Sequence, residues 1–423
     1  MSYFREPNRE QLKFQTIDLE KLIPEDHPVR FFWKVCEKLD LSALYNEYKI
    51  TEESEGRPAY DPRLMLCLFL YGYSQGIYST RELAEACKYR ADFMWLCGGI
   101  QPEYRILAYF RTRHTEALEE AFCKMTLALK KAGLIKMEIF FQDGTKIRAD
   151  ASPSSFKKKD KLEKEWGEAK RCYEAFINYK EKEVEEKRKR IEENKIKKKI
   201  ENIEKAIKKV EEITKRRKGL SRKDKEKYPP KEAKGSVTDP DAQFMKFRDG
   251  GKKPGYNAQI CIERETEIIV GKRVSSEPTD TKEMIPMIKE VKKNIGVEEI
   301  GGYVTDGGYY RDENIEVAKE EGVKEIIMPI HVESKYEGAR EVKEVGGSER
   351  GKELMKERFN KVERVIGYIK EKGLKFRRFH LRGIEKVNCE WTIVCMAYNI
   401  LRIMRLGRRE EYAKYIRLRY IIE

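Results

Sequence analysis

Histidine is scarce in this chain: four residues in 423, none at zinc-finger spacing from a pair of cysteines. No Cys-x-x-Cys occurs. The nine cysteines are an odd number scattered along the sequence. These absences argue against structural zinc and a disulfide framework, and predict buried free thiols in a reducing compartment. No apolar run approaches the ~18 residues of a membrane span, and the opening stretch MSYFREPNREQ has no apolar signal-peptide core. The expectation is a soluble, cytoplasmic protein.

What is abundant is charge. Charged residues make up 39% of the chain, against roughly 25% in ordinary soluble domains. Lys plus Arg number 89 and Asp plus Glu 74, a net charge of +15. A Lys/Glu-rich surface of a heat-adapted protein explains the charge content but not its positive balance. The basic excess favours a polyanionic partner, because each neutralised phosphate releases condensed counterions.

Three kinds of sequence follow one another. Residues 1–135 read as helical. Asp61-Pro62 caps an apolar run from Leu64 to Tyr71, and after a turn at Gly76, Ser79 with Glu82 forms a capping-box pattern. Helix, short turn and capped helix outline a helix-turn-helix, or an ordinary helical hairpin. Helices are expected from Glu103 to His114 and from Thr115 to Lys131, the latter stopped by Gly133. Residues 155–235 are dominated by Lys and Glu. Ile196, Ile200, Ile203, Ile207 and Val210 step by 4, 3, 4 and 3, the seam of a helical hairpin or short coiled coil. Its outer face either touches DNA or is simply solvated. The remaining sequence alternates strands and helices, with a β-hairpin at 256–274, helices near 281–293 and 312–321, and a strand at 325–329. A charged, Gly-rich loop is expected near 331–350, with helices thereafter. This order predicts a mixed α/β sheet flanked by helices.

Two apolar strands run into an Asp followed by glycine: Phe140-Phe141-Gln142-Asp143-Gly144 and Tyr303-Val304-Thr305-Asp306-Gly307-Gly308. One such pair is common turn chemistry. Two on strands of one sheet place two carboxylates at a rim where ligands gather. A later helix carries Glu363, Gly367 and Lys370 at steps of 4 and 3, so Glu363 and Lys370 share a face. On their own they would be no more than a helix ion pair.

With these residues the chain resembles the DDE transposases of bacterial insertion sequences that have an InsH-like helical N-terminal region. The resemblance rests on LIPEDHPVRFF (22–32), GRPAYDPRLMLCLFLYGYSQGIYSTRELAEACKYRADFMWLCGG (56–99), FFQDGTKIRADAS (140–152), YVTDGGYY (303–310) and VERVIGYIKEKGLKFRRFHLRGIEKVNCEW (362–391). It covers nearly everything outside the 155–235 insertion. It implies a DNA-binding domain over 1–135 and an RNase H-like catalytic domain over 136–423, interrupted by that insertion. It further implies a metal-binding catalytic triad of Asp143, Asp306 and Glu363. Some relatives carry a Tyr-(2)-Arg-(3)-Glu-(6)-Lys pattern. Here Lys356 and Phe359 stand at the first two positions, so only Glu363 and Lys370 match. Glu385 and Glu390 compete for the third carboxylate.

The implied chemistry needs Mg²⁺, with Mn²⁺ as a substitute and two ions expected, because hard cations take oxygen ligands and a metal pair serves in-line displacement at phosphorus. Water first nicks the element's end, and the freed 3′-hydroxyl then attacks target DNA. Lys370 would clamp a phosphate. Arg358 and Lys146 near the carboxylates, and Arg377, Arg378 and Arg382 in a basic C-terminal patch, are the other expected DNA contacts. The implied partners are double-stranded terminal inverted repeats and target DNA, bound by a dimer. The alternatives are a metal-dependent DNA nuclease on the same fold without strand transfer, or a catalytically inactive DNA-binding protein.

Overall fold

The structure, a computed structural model, describes residues 18–48, 59–178, 186–219, 222–227, 229–331, 333–334 and 336–408. Parts of the expected N-terminal helical region and of the insertion lie outside these residues. In the N-terminal part the helices are α1 (Pro28–Lys38), α2 (Ser42–Asn46), α3 (Pro62–Ser74), α4 (Thr80–Tyr89), α5 (Ala91–Leu96), α6 (Tyr104–Arg113) and α7 (Thr115–Lys131). The caps behave as the sequence predicts. Asp61 accepts a hydrogen bond from the Arg63 N–H at 2.7 Å, and Ser79 one from the Glu82 N–H at 3.5 Å. Every residue of α3 except Arg63 and Ser74 is buried. A helix apolar all round belongs inside a core, and α3 is the centre of this helical layer.

Strand β1 (Ile139–Arg148) opens the sheet. The insertion follows, closed at its base by a two-residue ladder of β2 (Phe156–Lys157) with β3 (Gly235–Ser236). It is an arm of two long helices, α8 (Lys159–Asn178) and α9 (Glu186–Lys218), followed by the short α10 (Arg222–Lys227). The predicted seam faces α8: Ile203 and Val210 are fully or nearly fully buried, while Ile200 and Ile207 are partly covered. With Leu162 and Ala169 they make a small core separate from the main one. Gly235 is needed where the arm returns, since a Cβ there would stand 2.6 Å from the Ala206 carbonyl oxygen.

The sheet then fills in with β4 (Gln243–Lys246), β5 (Lys252–Glu263), β6 (Ile269–Ser275), β7 (Ile300–Val304) and β8 (Val323–Ile327). The order across it is β6-β5-β1-β7-β8, with β4 also on β5. Strands β1, β5 and β6 pair antiparallel, and β1, β7 and β8 parallel. In chain order of the five main strands this is 3-2-1-4-5, the RNase H-like arrangement. Helices α11 (Met284–Ile295), α12 (Asp312–Glu320), α13 (Glu337–Gly347), α14 (Glu349–Gly367) and α15 (Ile384–Leu406) complete it. The 331–350 region is not the loop expected: α13 occupies most of it. Its glycines concealed a face of Gly338, Ala339, Val342 and Gly346 that is buried.

The helical layer and the sheet share one hydrophobic core, running from Ile23 to Leu406. Helix α15 packs on α3, α7 and β6. All nine cysteines are free and seven are buried. No helix among the described residues is long and apolar enough to cross a membrane.

The separate core of the arm gives a test. Ile203→Ala should cost the arm about 2–5 kcal/mol, the usual range for truncating a buried isoleucine. Amide exchange should then accelerate over Lys159–Lys218 while α3 and α15 keep their protection. Equal loss of protection in both regions would show that arm and core unfold as one unit.

Candidate active site

The parallel ladder of β1 and β7 ends at Phe141 opposite Val304. Asp143 and Asp306 each lie two residues beyond that last pair, where the strands part. This common offset brings the two carboxylates to one spot. The expected strand end at Asp143 needs correction, because β1 runs on to Arg148 along β5 and Asp143 sits mid-strand opposite Ile260. Only the neighbour on the other side is lost there. Asp306 does end its strand, and caps a short 3-10 turn by accepting from the Gly308 N–H at 2.8 Å.

Gly144 is required by side chains on the neighbouring elements. A Cβ there would meet Gln259 Nε2 at 2.1 Å and Asp280 Oδ1 at 2.8 Å. Asp280 accepts from Gln259 Nε2 and Asn257 Nδ2, each at 2.7 Å, and from Lys146 Nζ at 3.3 Å. Lys146, expected to contact DNA, is therefore held beneath the rim. Burial lowers its ammonium below the ordinary lysine range, against the pull of Asp280.

The space between the two aspartates is taken by Arg358. Its Nη1 lies 3.0 Å from Asp143 Oδ2 and 3.0 Å from the Gln142 carbonyl oxygen, and its Nη2 lies 3.9 Å from Asp306 Oδ2. Arg358, one of the expected DNA contacts, is only 6% exposed and is placed as an internal counter-ion to the two aspartates. Its helix neighbour Phe359 points outward, 55% exposed. Burial pushes the Asp143 carboxyl up to about 6, against the pull of Arg358 and helped by the charge of Asp306.

Glu363 lies on the same helix, α14, and is clasped through both oxygens by Arg248, one of the two bonds measuring 2.8 Å. Arg248 stands on the turn between β4 and β5, which carries a third Asp-Gly, Asp249-Gly250. Asp249 is engaged by Arg148 at 2.9 Å and Lys253 at 2.6 Å. Sequence reasoning missed Arg248 and Asp280. The Asp-Gly-Gly after Arg248 was a visible signal, while Asp280 has none around it.

Beyond Gly367 the helix widens into one π-helical turn, Tyr368–Lys372. That turn swings Lys370 onto β1, where its Nζ donates to Thr145 Oγ1 at 3.2 Å and the Lys146 carbonyl oxygen at 3.3 Å. Burial, and then the charge of Arg248, lowers the Lys370 ammonium from the ordinary lysine value. Arg377 and Arg382 are exposed and paired with Glu371 and Asp150, and Arg378 stands 3.9 Å from Asp150. They lie where residues 377–379 run beside the end of β1.

Asp143 and Asp306 thus share Arg358, while Glu363, one turn further along α14, is held by a different arginine, Arg248. Among the described residues no three Asp, Glu, His or Cys side chains converge as a ready metal cage. Glu390 plays another part. It is fully buried and accepts from the His380 N–H at 2.8 Å, the Leu381 N–H at 3.1 Å and the Tyr73 hydroxyl at 3.3 Å, with Arg111 at 3.9 Å. It ties α15 to α3 and α6. Glu390→Ala should therefore destabilise the fold by about 3–5 kcal/mol, as expected when a buried charge partner is removed. Glu363→Gln should change stability by less than about 1 kcal/mol, because its partner is exposed. Thermal unfolding of the two variants side by side distinguishes a structural from a rim carboxylate.

Comparison with known families adds two matches. A family model described as Transposase domain (DUF772) matches residues 17–113, and one described as Transposase DDE domain matches residues 232–400. Together they span more than half of the chain. The second match includes Asp306 and Glu363; Asp143 lies ahead of it, on the far side of the arm. No curated protein and no solved structure gave a match.

Proposed function

The chain belongs to the DDE transposases of insertion sequences, and from that premise we propose that it cuts DNA at the ends of its element and joins the freed ends to target DNA. The observation that carries this reading is the pair of carboxylates, Asp143 and Asp306, at the parting of two parallel strands and turned toward a single positive charge. The family accounts for DNA as the material acted on. The paired carboxylates account for how phosphodiester chemistry is supported without histidine or a covalent nucleophile.

The donor set fits a hard divalent cation such as Mg²⁺ or Mn²⁺. Asp143 and Asp306 offer oxygens to one point that already attracts a cation, and Glu363 is the third oxygen donor nearby on α14. When bound, such ions would activate the attacking oxygen and stabilise the leaving one. Asp143 and Asp306 hold the charge that draws the cation in. Arg358 keeps the two like charges together beforehand. Lys370, anchored on Thr145, presents an ammonium beside β1 where a substrate phosphate would pass. Terminal inverted repeats and a dimer on DNA belong to the same reading.

Asp143→Asn and Asp306→Asn should each lower cleavage and joining by about 10²–10³-fold or more, the scale for loss of one charge-stabilising group. DNA binding should persist. The measurement is strand cleavage and joining, with Mg²⁺ or Mn²⁺, on duplexes carrying the DNA that borders the gene. Wild-type cleavage by either variant would sink the assignment. Cleavage without any joining would favour the nuclease alternative.

A further inference from the structure

The arm helps to enclose a wide hollow against the sheet. Between the end of α9 and the edge of the sheet lies a cavity of about 680 Å³. It opens into a second hollow of about 410 Å³ that shares Ile213, Arg216 and Lys282 with the first. The floor is apolar, made by Ile213, Phe244 and Pro278. The walls are basic: seven Lys or Arg side chains against two Glu. In the whole chain the corresponding numbers are 89 and 74, so the excess is local and not a reflection of composition.

The two glutamates are already engaged. Glu232 pairs with Lys158 and Glu277 with Arg216, both at 2.6 Å. The exposed cations Lys246, Lys282 and Arg311 have no carboxylate partner among the described residues. Unneutralised cations over an apolar floor suit a sugar-phosphate strand, whose phosphates meet the walls while its sugars and bases cover the floor.

The groove also lies in the right place. The loop that lines it, Glu277 to Lys282, contains Asp280, which reaches Lys146, Asn257 and Gln259 beneath the carboxylate rim. Arg311 follows the Asp306 turn directly and stands before α12. Two short stretches of chain, the Glu277–Lys282 loop and the segment from Asp306 to Arg311, therefore link the groove to the carboxylate rim.

We propose that this groove holds the phosphate backbone of the DNA that runs on from the cleaved bond, with the arm closing over it as a clamp. This rests on the transposase reading and adds to it a path for the strand and a use for the insertion.

The test uses the full chain. Lys246→Ala, Lys282→Ala and Arg311→Ala should each lower the slope of log affinity against log salt by about one phosphate contact. The triple charge reversal to Glu should weaken binding of a duplex a few helical turns long by tenfold or more. Cleavage of duplexes with a long flank should fall with it, while substrates trimmed close to the cut should be affected far less. Lys198→Glu, on the exposed side of the arm, should behave as wild type. If the groove variants melt, bind and cut like wild type with unchanged salt slopes, the groove assignment is overturned and the transposase reading stands. If wild type cuts no DNA but the salt slopes still fall in the variants, the proposed reaction fails and the groove as a DNA site survives.

Discussion

Two carboxylates brought together on adjacent strands repel each other, and burial strengthens the repulsion. At an effective dielectric constant near 20, unit charges about 4 Å apart interact by about 4 kcal/mol. A site of this kind needs either a proton on one carboxyl or something positive between the charges. In this chain it is the Arg358 guanidinium, reaching from α14 to Asp143, Asp306 and the Gln142 carbonyl oxygen. The raised Asp143 carboxyl shows that this compensation is partial, because burial still outweighs the arginine. The position of α14 against β1 and β7 is therefore an electrostatic requirement as well as a packing one. Glu363 and Lys370 are carried to the rim by the same helix.

The surroundings hold α14 and α15 against this requirement. Glu267, buried at the turn between β5 and β6, accepts from Arg364 of α14 at 2.7 Å and lies 3.1 Å from Arg402 of α15. At the other side, Glu390 joins α15 to the helical layer through Tyr73 and Arg111. These buried ions cost desolvation energy and are retained where their partners are complete. They fix the helices in register with the sheet. This explains why the N-terminal helices share the core and do not form a separate body.

The sequence showed what depends on local pattern. The capped, apolar α3, the seam and limits of the arm, and the two strands carrying Asp143 and Asp306 all follow from spacing and from cap chemistry. It hid what depends on neighbours. The continuation of β1 past Gly144 is set by pairing with β5, which no local signal reveals. Helix α13 was masked by glycines such as Gly346, whose missing side chain lets the helix approach the Met328 carbonyl oxygen. Lys370 was placed on the Glu363 face by regular helical steps, while the π turn gives it a different path to β1. The inward direction of Arg358 was hidden too, because a basic residue beside an acidic one looks alike in sequence whether it points in or out.

The two arginines at the rim are not equivalent, and the difference orders the site. Arg248 is 80% exposed while its partner Glu363 is 23% exposed. Exposed ion pairs contribute about 0–1 kcal/mol, so Glu363 is released at little cost. Arg358 is sealed under α14, and breaking a buried pair costs about 3–5 kcal/mol. Its Nε has no hydrogen-bond partner, so the guanidinium is held by its Nη atoms alone. An arriving phosphate competes readily for Arg248 but reaches Arg358 only if α14 or the side chain moves. On the proposed reading Glu363 is thus the adjustable donor, and Asp143 and Asp306 are the fixed ones. On that same reading, DNA that attracts Arg248 would free Glu363 beside the two aspartates.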